Sequence, residues 1–420
     1  MSEVKKLSTE AEFAAFADIV IDAYPTLFER SLESQQCLAA ELEGLAETEP
    51  AISFWGLFRS VRGERRLLGG MRLFDFRMNF LGNMIPVGAV GQVAVGPEHR
   101  RQRVGRDLML FYLRHFQERG TPLTALYPFR PDFYRSMGFG YGTKMSRYRI
   151  KPVALPAAGD TSHLRRLDPA DREALRACYN HYTHRNHGMI EKIDHQLDQL
   201  FGDEDLRITG FEKNGRLEGY VAFNYQAGDT YLTYDLHVQE LIFETREALA
   251  GLLTCLHTQN DQIRRIIVRT QDEDFHHLLD DPRDGSGDLI SPVYHATDVQ
   301  GVGLMYRIVD VERIFRLLEG RDFGGQTCRV ELRVKDEFLP ENGGTTKLAF
   351  RDGRVSELDQ GSCDVAVELD IGALSSLLAG TVTFDRLHLY GLAEISSPTY
   401  LDTVSRIFTV ARKPICTTSF

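Results

Sequence analysis

Arg100, Arg101, Arg103 and Arg106 put four guanidinium groups into seven consecutive positions. They stand just before an apolar-periodic run that opens at Val104. Ahead of them the β-branched run Val93-Ala94-Val95 ends at the break Gly96-Pro97. The pattern is strand, basic loop, helix. Amide groups at a helix start carry partial positive charge that points outward, and the helix dipole favours an anion above them. Arginines add charge-assisted donors in a forked geometry. Residues of these types in this order suit a pyrophosphate. A solvated basic helix start is the plainer alternative.

The elements around this loop follow from periodicity. Phe13, Phe16, Ile19, Val20 and Tyr24 recur at helical spacing, so the chain is expected to begin with a helix that Pro25 stops. A second helix is expected over about 32–45. Its Glu41, Glu43, Glu47 and Glu49 read as a solvated acidic face. Strand-like runs at 52–59, 67–78 and 84–95, with turns at Arg62-Gly63-Glu64 and Leu81-Gly82-Asn83, read as an antiparallel meander. The helix from Val104 to about Arg119 presents Leu108, Phe111, Tyr112 and His115 on one face, and Gly120 sits where a capping glycine belongs. A strand at 123–127, a short helix at 131–137, the run Gly138-Phe139-Gly140-Tyr141-Gly142 and a strand at 145–150 complete the segment.

This segment resembles the GNAT N-acetyltransferase superfamily. The family's acetyl-CoA loop is a strand, a V-x-P turn, and Arg/Gln-x-x-Gly-x-Gly/Ala opening a helix. Arg100 takes the first place and Gly105 the last, while Arg103 stands where the family has its first glycine. The stretch Phe133-Tyr134-x-x-x-Gly138-Phe139 resembles a second family signature. The resemblance implies that acetyl-CoA is the co-substrate. It assigns Val93 and Val95 to the pantetheine arm through strand amides opened by a bulge, and Arg100, Arg101, Arg103, Val104, Gly105 and Arg106 to the pyrophosphate. Acetyl transfer needs a neutral amine, a base for its proton and an acid for the departing thiolate.

Beyond the linker Lys151–Asp160 a second α/β unit is expected. Asp168-Pro169-Ala170-Asp171 opens a helix through Leu175 and Cys178. Strands follow at 206–213, 217–225 and 231–241, then a helix at 246–259 and a strand at 264–269. This layout again resembles a GNAT domain, without the phosphate loop. From about Gly301 the order changes: a helix at 311–318, a strand at 328–334, a hairpin around Asp352-Gly353, a strand at 363–369, and helices at 371–378 and 400–408. This tail resembles a sterol-carrier-protein fold. The fold class is therefore mixed α/β, with a catalytic GNAT domain over 1–150, a degenerate GNAT-like domain over 151–300 and a sterol-carrier-like domain over 301–420.

Two GNAT-like units and such a tail resemble the Eis-type acetyltransferases. That resemblance implies acetylation of amines, whether aminoglycoside-like, polyamine-like or protein lysine. It implies a hexamer, Tyr134 as general acid, and the carboxylate of the last residue, Phe420, as base. The second reading is a lipid- or acyl-binding protein on GNAT scaffolds, against which Pro340–Thr346 and the acidic 357–359 argue mildly.

The composition is that of a soluble globular protein. The net charge of −11 disfavours nucleic acid and suits a cationic substrate. No apolar run reaches membrane-spanning length, the N-terminus lacks a signal-peptide core, and six scattered cysteines suit a reducing cytoplasm. His181, His184 and His187 have metal-ligand types, but a helix turns the third away from the first, and no metal is expected. His276-His277 reads as polar surface and Trp55 as core or pocket wall. Asp22 and Glu29 read as solvated surface, with an amine-facing role as the alternative.

Overall fold

The structure, a computed structural model, describes every residue except Met1, Arg62, Asp229, Tyr231 and 358–360. The turn at Arg62, the expected strand start at Tyr231 and most of the acidic segment 357–359 therefore lie outside the described residues. The chain forms two compact units. One holds the residues up to Gly142, Leu304–Arg412 and Phe420; the other holds Thr143–Gly303 and Lys413–Ser419.

The first unit opens with an edge strand, β1 (Ser2–Lys6), not with the expected helix. Helix α1 (Glu10–Ala23) follows, capped by Thr9, whose side chain accepts from the Glu12 amide. Its buried face is Phe13, Phe16, Ala17, Val20 and Ile21. Helix α2 (Leu32–Thr48) is capped by Ser31 in the same way. Strands β2 (Ile52–Val61), β3 (Glu64–Phe80) and β4 (Asn83–Val95) form the expected meander. The β3–β4 turn carries positive φ at both Leu81 (56°) and Gly82 (86°), the conformation of a tight hairpin. Helix α3 (Val104–Glu118) covers the opposite sheet face from α1 and α2, with Leu108, Met109, Tyr112, Leu113 and Phe116 buried. Gly120, at φ 75°, ends it as its residue type predicts.

Strand β5 (Leu123–Leu126) runs parallel to β4, paired only from Val87 to Ala89. Past Ala89, β4 runs on to Val95 without β5, so the sheet opens there. Helix α4 (Pro131–Arg135) and strand β6 (Gly140–Tyr141) close this part of the chain.

The second unit starts with β7 (Met145–Ile150). The element order had put this strand in the first domain; it pairs instead with the second sheet. That sheet contains β8 (Leu164–Arg166), β9 (Arg207–Lys213), β10 (Arg216–Ala227), β11 (Tyr234–Phe243), β12 (Ile263–Thr270) and β13 (Asp298–Gly301), in the order β13-β7-β12-β11-β10-β9-β8. Its helices are α5 (Arg172–Arg185), α6 (Asp194–Gly202) and α7 (Arg246–His257). A pyrophosphate loop is absent at α7. Thr245 caps it, accepting from the Ala248 amide, and Glu244 sits beside it with its side chain 3% exposed.

The chain then returns to the first unit. Strand β14 (Met305–Ile308) enters the first sheet between β5 and β6, antiparallel to both. The Gly142 amide donates to the Leu304 carbonyl at 2.9 Å, so the points of exit and return are neighbours. Arg307 on β14 is fully buried and forms a two-pronged pair with Asp336 (2.8 and 2.9 Å), while its Nε donates to the Met137 carbonyl. A buried pair with its hydrogen bonds made is tolerated, whereas removing one partner strands the other charge.

After α8 (Val311–Leu317), a third sheet is built from β15 (Cys328–Lys335), β16 (Gly344–Arg351), β17 (Arg354–Glu357), β18 (Val365–Asp370) and, beyond helices α9 (Ile371–Leu378) and α10 (Phe384–Leu389), β19 (Ala393–Ile395). Helix α11 (Leu401–Ile407) ends the ordered elements. Helix α9 is buried along its whole length and packs against β14 and β6. Among the described residues no helix is long and apolar enough to cross a membrane.

Candidate active site

The opening of the first sheet is sharpened by a bulge. Gly70 pairs with Ala94 and Arg72 with Gly91, so one residue of β3 faces two of β4. Gln92 takes φ 47° there. An extra residue of this kind bends the strand and re-aims its amides. Val93, in the bulge with Gln92, and Val95, beyond it, are half-buried. The Val93 carbonyl accepts from Tyr24 Oη at 3.3 Å.

The basic loop lies past the bulge. Arg100, Arg101, Arg103 and Arg106 are exposed. The side chains of Arg100, Arg101 and Arg103 make no ion pair or hydrogen bond among the described residues. Arg106 turns its guanidinium over the Phe338 ring, 5.2 Å from its centroid. Arg103, at the helix boundary, takes φ 66° and ψ 6°. This is the left-handed conformation that glycine adopts freely and that costs another residue roughly 1–2 kcal/mol. The departure in the motif is thus a strained arginine in a glycine conformation. No side chain caps α3, which leaves the amides of Val104, Gly105 and Arg106 open. A Cβ added at Gly105 would touch Phe133 at 3.7 Å and Val95 at 3.8 Å, ordinary packing distances. Open amides and unpaired guanidinium groups are a donor set suited to a pyrophosphate.

Tyr134 on α4 is 3% exposed, its ring among Phe129, Phe133 and Phe139 at 5.3–6.0 Å between centroids. Burial, and then the nearby Tyr24, push its phenol well above the ordinary tyrosine range. It is a neutral donor at physiological pH. Burial also raises Tyr24.

Phe420 is ordered. Its ring stands against Tyr127 (4.9 Å), Phe76 (5.6 Å) and Phe74 (5.7 Å). The carboxyl group lies over Gly91: a Cβ built there would be 3.1 Å from its carbon and 3.4 Å from its oxygen. The terminal group therefore sits one residue before the bulge, on the sheet face where only a glycine leaves room. In the second unit, residues 413–419 are held by side chains. Gln271 Oε1 accepts from the Cys416 amide at 2.6 Å, and Tyr179 Oη bonds Thr418 Oγ1 at 2.9 Å.

A cavity of about 560 Å³ opens beside Pro97 and is lined by Ile21, Asp22, Pro25, Phe28, Glu29 and Arg30. Asp22 is mostly buried and paired with Arg30 at 3.0 Å, so it is not open surface, while Glu29 at the cleft's rim is exposed as expected. Glu49 is also corrected: it is 7% exposed, not solvated. Trp55 is half-buried and packs against the core, its ring tilted against Phe111 and His115 at 4.7 and 5.0 Å. His181 pairs with Glu244 and His184 with Glu191, while the His187 carbonyl accepts from Ile415. His276 and His277 are exposed, their rings tilted against each other with centroids 4.1 Å apart. Sequence reasoning missed Tyr24, which carries no motif beyond preceding a proline. It also missed the exact bulge residue, Gln92.

Comparison with known proteins agrees with this fold. The acetyltransferase (GNAT) domain family matches residues 4–142, a further acetyltransferase (GNAT) domain family matches 182–308, and the sterol carrier protein domain matches 314–417. A solved GCN5-related N-acetyltransferase from Anabaena variabilis superimposes with a TM-score of 0.81, covering 100% of both chains at 19% identity. The chain is a GNAT-family N-acetyltransferase, a class whose acyl donor is acetyl-CoA. The N-acetyltransferase Eis of Mycobacterium tuberculosis is 25% identical over 327 residues, 74% of this chain and 75% of that protein. The crystal structure of Eis1 from Mycobacterium abscessus matches with a TM-score of 0.76 at 23% identity, over 100% of each chain. Within the class, the protein is of the Eis type.

Proposed function

We propose that the protein acetylates amines of the aminoglycoside, polyamine or protein-lysine kind by direct transfer from acetyl-CoA, with Tyr134 as general acid and the Phe420 carboxylate as base. The first-turn amides of α3 and the free arginines of the loop would hold the pyrophosphate. The amides of Val93 and Val95, opened by the bulge, would hold the pantetheine arm and polarise the thioester carbonyl. Asp22 and Glu29 would draw the cationic acceptor to the cleft. The carboxylate takes the ammonium proton, directly or through a water. The neutral amine then attacks the thioester carbon, and the C–S bond breaks as the phenol of Tyr134 protonates the leaving sulfur. The extra proton on the acylated nitrogen passes to the Tyr134 phenolate, leaving a neutral amide, the CoA thiol and a phenol again. The reading extends to a cytoplasmic homo-oligomer, a hexamer on the family's pattern.

The observation that carries this reading is the seat of Phe420 beside Gly91, against the bulge. Two extended variants test it. One adds a few neutral residues after Phe420, which turns the carboxylate into an amide. The other carries the same residues before Met1. The first should lose most acetyl transfer while keeping its fold and acetyl-CoA binding, and the second should stay active. Equal activity of the two would remove the terminal carboxylate from the mechanism.

A further inference from the structure

Arg72 is a costly residue in its place. It stands on β3 between Met71 and Leu73, both buried, and is itself 9% exposed. Its guanidinium carbon is 4.7 Å from the Phe74 ring centroid and 5.8 Å from that of Phe54. Its Nε and Nη2 are buried with no hydrogen-bond partner among the described residues. A buried charge with unmade hydrogen bonds costs stability. A methionine would fill the same space between two rings without that cost.

The strand register shows what Arg72 faces. It is the direct cross-strand partner of Gly91, and such partners share a sheet face. The absent side chain of Gly91 points at the terminal carboxyl group. Arg72 and Phe74, two residues apart, also share that face, and the Phe74 ring meets the Phe420 ring. Guanidinium and carboxyl group thus belong to one face of adjacent strands and to one aromatic surface.

We propose that Arg72 is the countercharge of the Phe420 carboxylate, a positioning residue that keeps it ionised on an apolar seat and so ready to take a proton. The inference rests on the terminal-carboxylate reading above. A carboxylate moved from water onto Phe74, Phe76 and Tyr127 is pushed toward its neutral form by desolvation, and a nearby cation opposes that push. The other ionisable groups around the pair are few. Glu41 and Glu49 act on Arg72 from α2. Tyr127 faces the Phe420 ring from the end of β5, and Tyr24 reaches Val93 from the end of α1. Burial lowers Arg72 to about 10, with the two glutamates opposing, so it stays charged at neutral pH.

The test crosses Arg72→Met and Arg72→Lys with the extension after Phe420, all in the full chain. Arg72→Met should move the acid limb of the kcat pH profile up by about one unit, so that kcat falls about tenfold at pH values below that limb and little above it, the size of effect a single nearby charge produces. The KM for acetyl-CoA and the melting temperature should not worsen. Arg72→Lys should return the acid limb toward its original position. In the extended protein, where no carboxylate remains, Arg72→Met should change kcat no further, since coupled residues are not additive. Arg72→Gln serves as the neutral variant if the methionine does not fold. An unmoved acid limb, or an equal loss with and without the extension, would overturn the proposal and leave the carboxylate reading standing. A fully active extended protein would overturn both.

Discussion

Tyr134 has one polar atom, and its ring is fixed by three aromatic neighbours. Tyr134→Phe therefore removes a proton donor and little packing. General acid–base groups contribute about 10²–10⁴-fold, so kcat should fall within that range while the KM for acetyl-CoA holds. The pH dependence has a definite sign. A phenol is active as an acid while protonated, and burial raises its pKa, so the active form persists to higher pH than for a free tyrosine. With an acceptor amine kept saturating, kcat should show no basic limb up to about pH 10, the ordinary tyrosine value. A basic limb near pH 8 that Tyr134→Phe leaves in place would assign the proton to another group. The loop arginines make a separate prediction. Charge-assisted contacts are worth about 1.5–3 kcal/mol each, so replacing Arg100 and Arg101 together by alanine should raise the acetyl-CoA KM by two orders of magnitude or more, with kcat at saturation little changed. Initial-rate measurements at varied acetyl-CoA check this. These arginines were visible in the sequence because their spacing and the strand before them are local. Arg72 was not, because a lone arginine in a strand reads as an outward side chain until its register is known.

At the level of elements, β4 answers to both of its faces. Gly88 lies under α3, where an added Cβ would stand 2.4 Å from Phe116 ring atoms. Phe116 is fully buried and in edge contact with Tyr112, so it has no room to yield. Overpacking of this kind costs about 1–3 kcal/mol or more. Gly88→Ala should lower the denaturant midpoint accordingly, and activity should survive in the fraction that folds. The meander, α3 and its capping glycine were legible because their signals are short-range: alternation, helical spacing and a positive φ that glycine supplies. Helix α6, helix α10 and strand β19 were not, since six to nine polar-rich residues, or three in a strand, leave no period to read. The strain at Arg103 was legible only as a departure from a motif, and its φ of 66° gives the departure its meaning.

Across the whole chain, the sequence suggested domains laid end to end, and the sheets are assembled otherwise. Strand β7 leaves the first segment for the second sheet, and β14 comes back to complete the first. Neither run carries a mark of its partner, because strand pairing across so many residues is decided by which edge lies open and not by local composition. The return has a consequence for synthesis. A ribosome releases β5 long before β14, and until Ile308 has emerged the first sheet lacks the strand that lies between β5 and β6. The nascent first segment must wait, with Leu123 and Leu126 bared, while the whole insert is made. A fragment ending at Gly142 should therefore be protease-sensitive and prone to aggregate, its β5 edge being an open template. A shortened gene that joins Gly142 to Leu304 through a few linker residues should yield a soluble, cooperatively melting product, because those two positions already share a hydrogen bond. If the short fragment instead resists protease as well as the joined product does, β14 is an addition to a finished sheet, and the order of emergence is free.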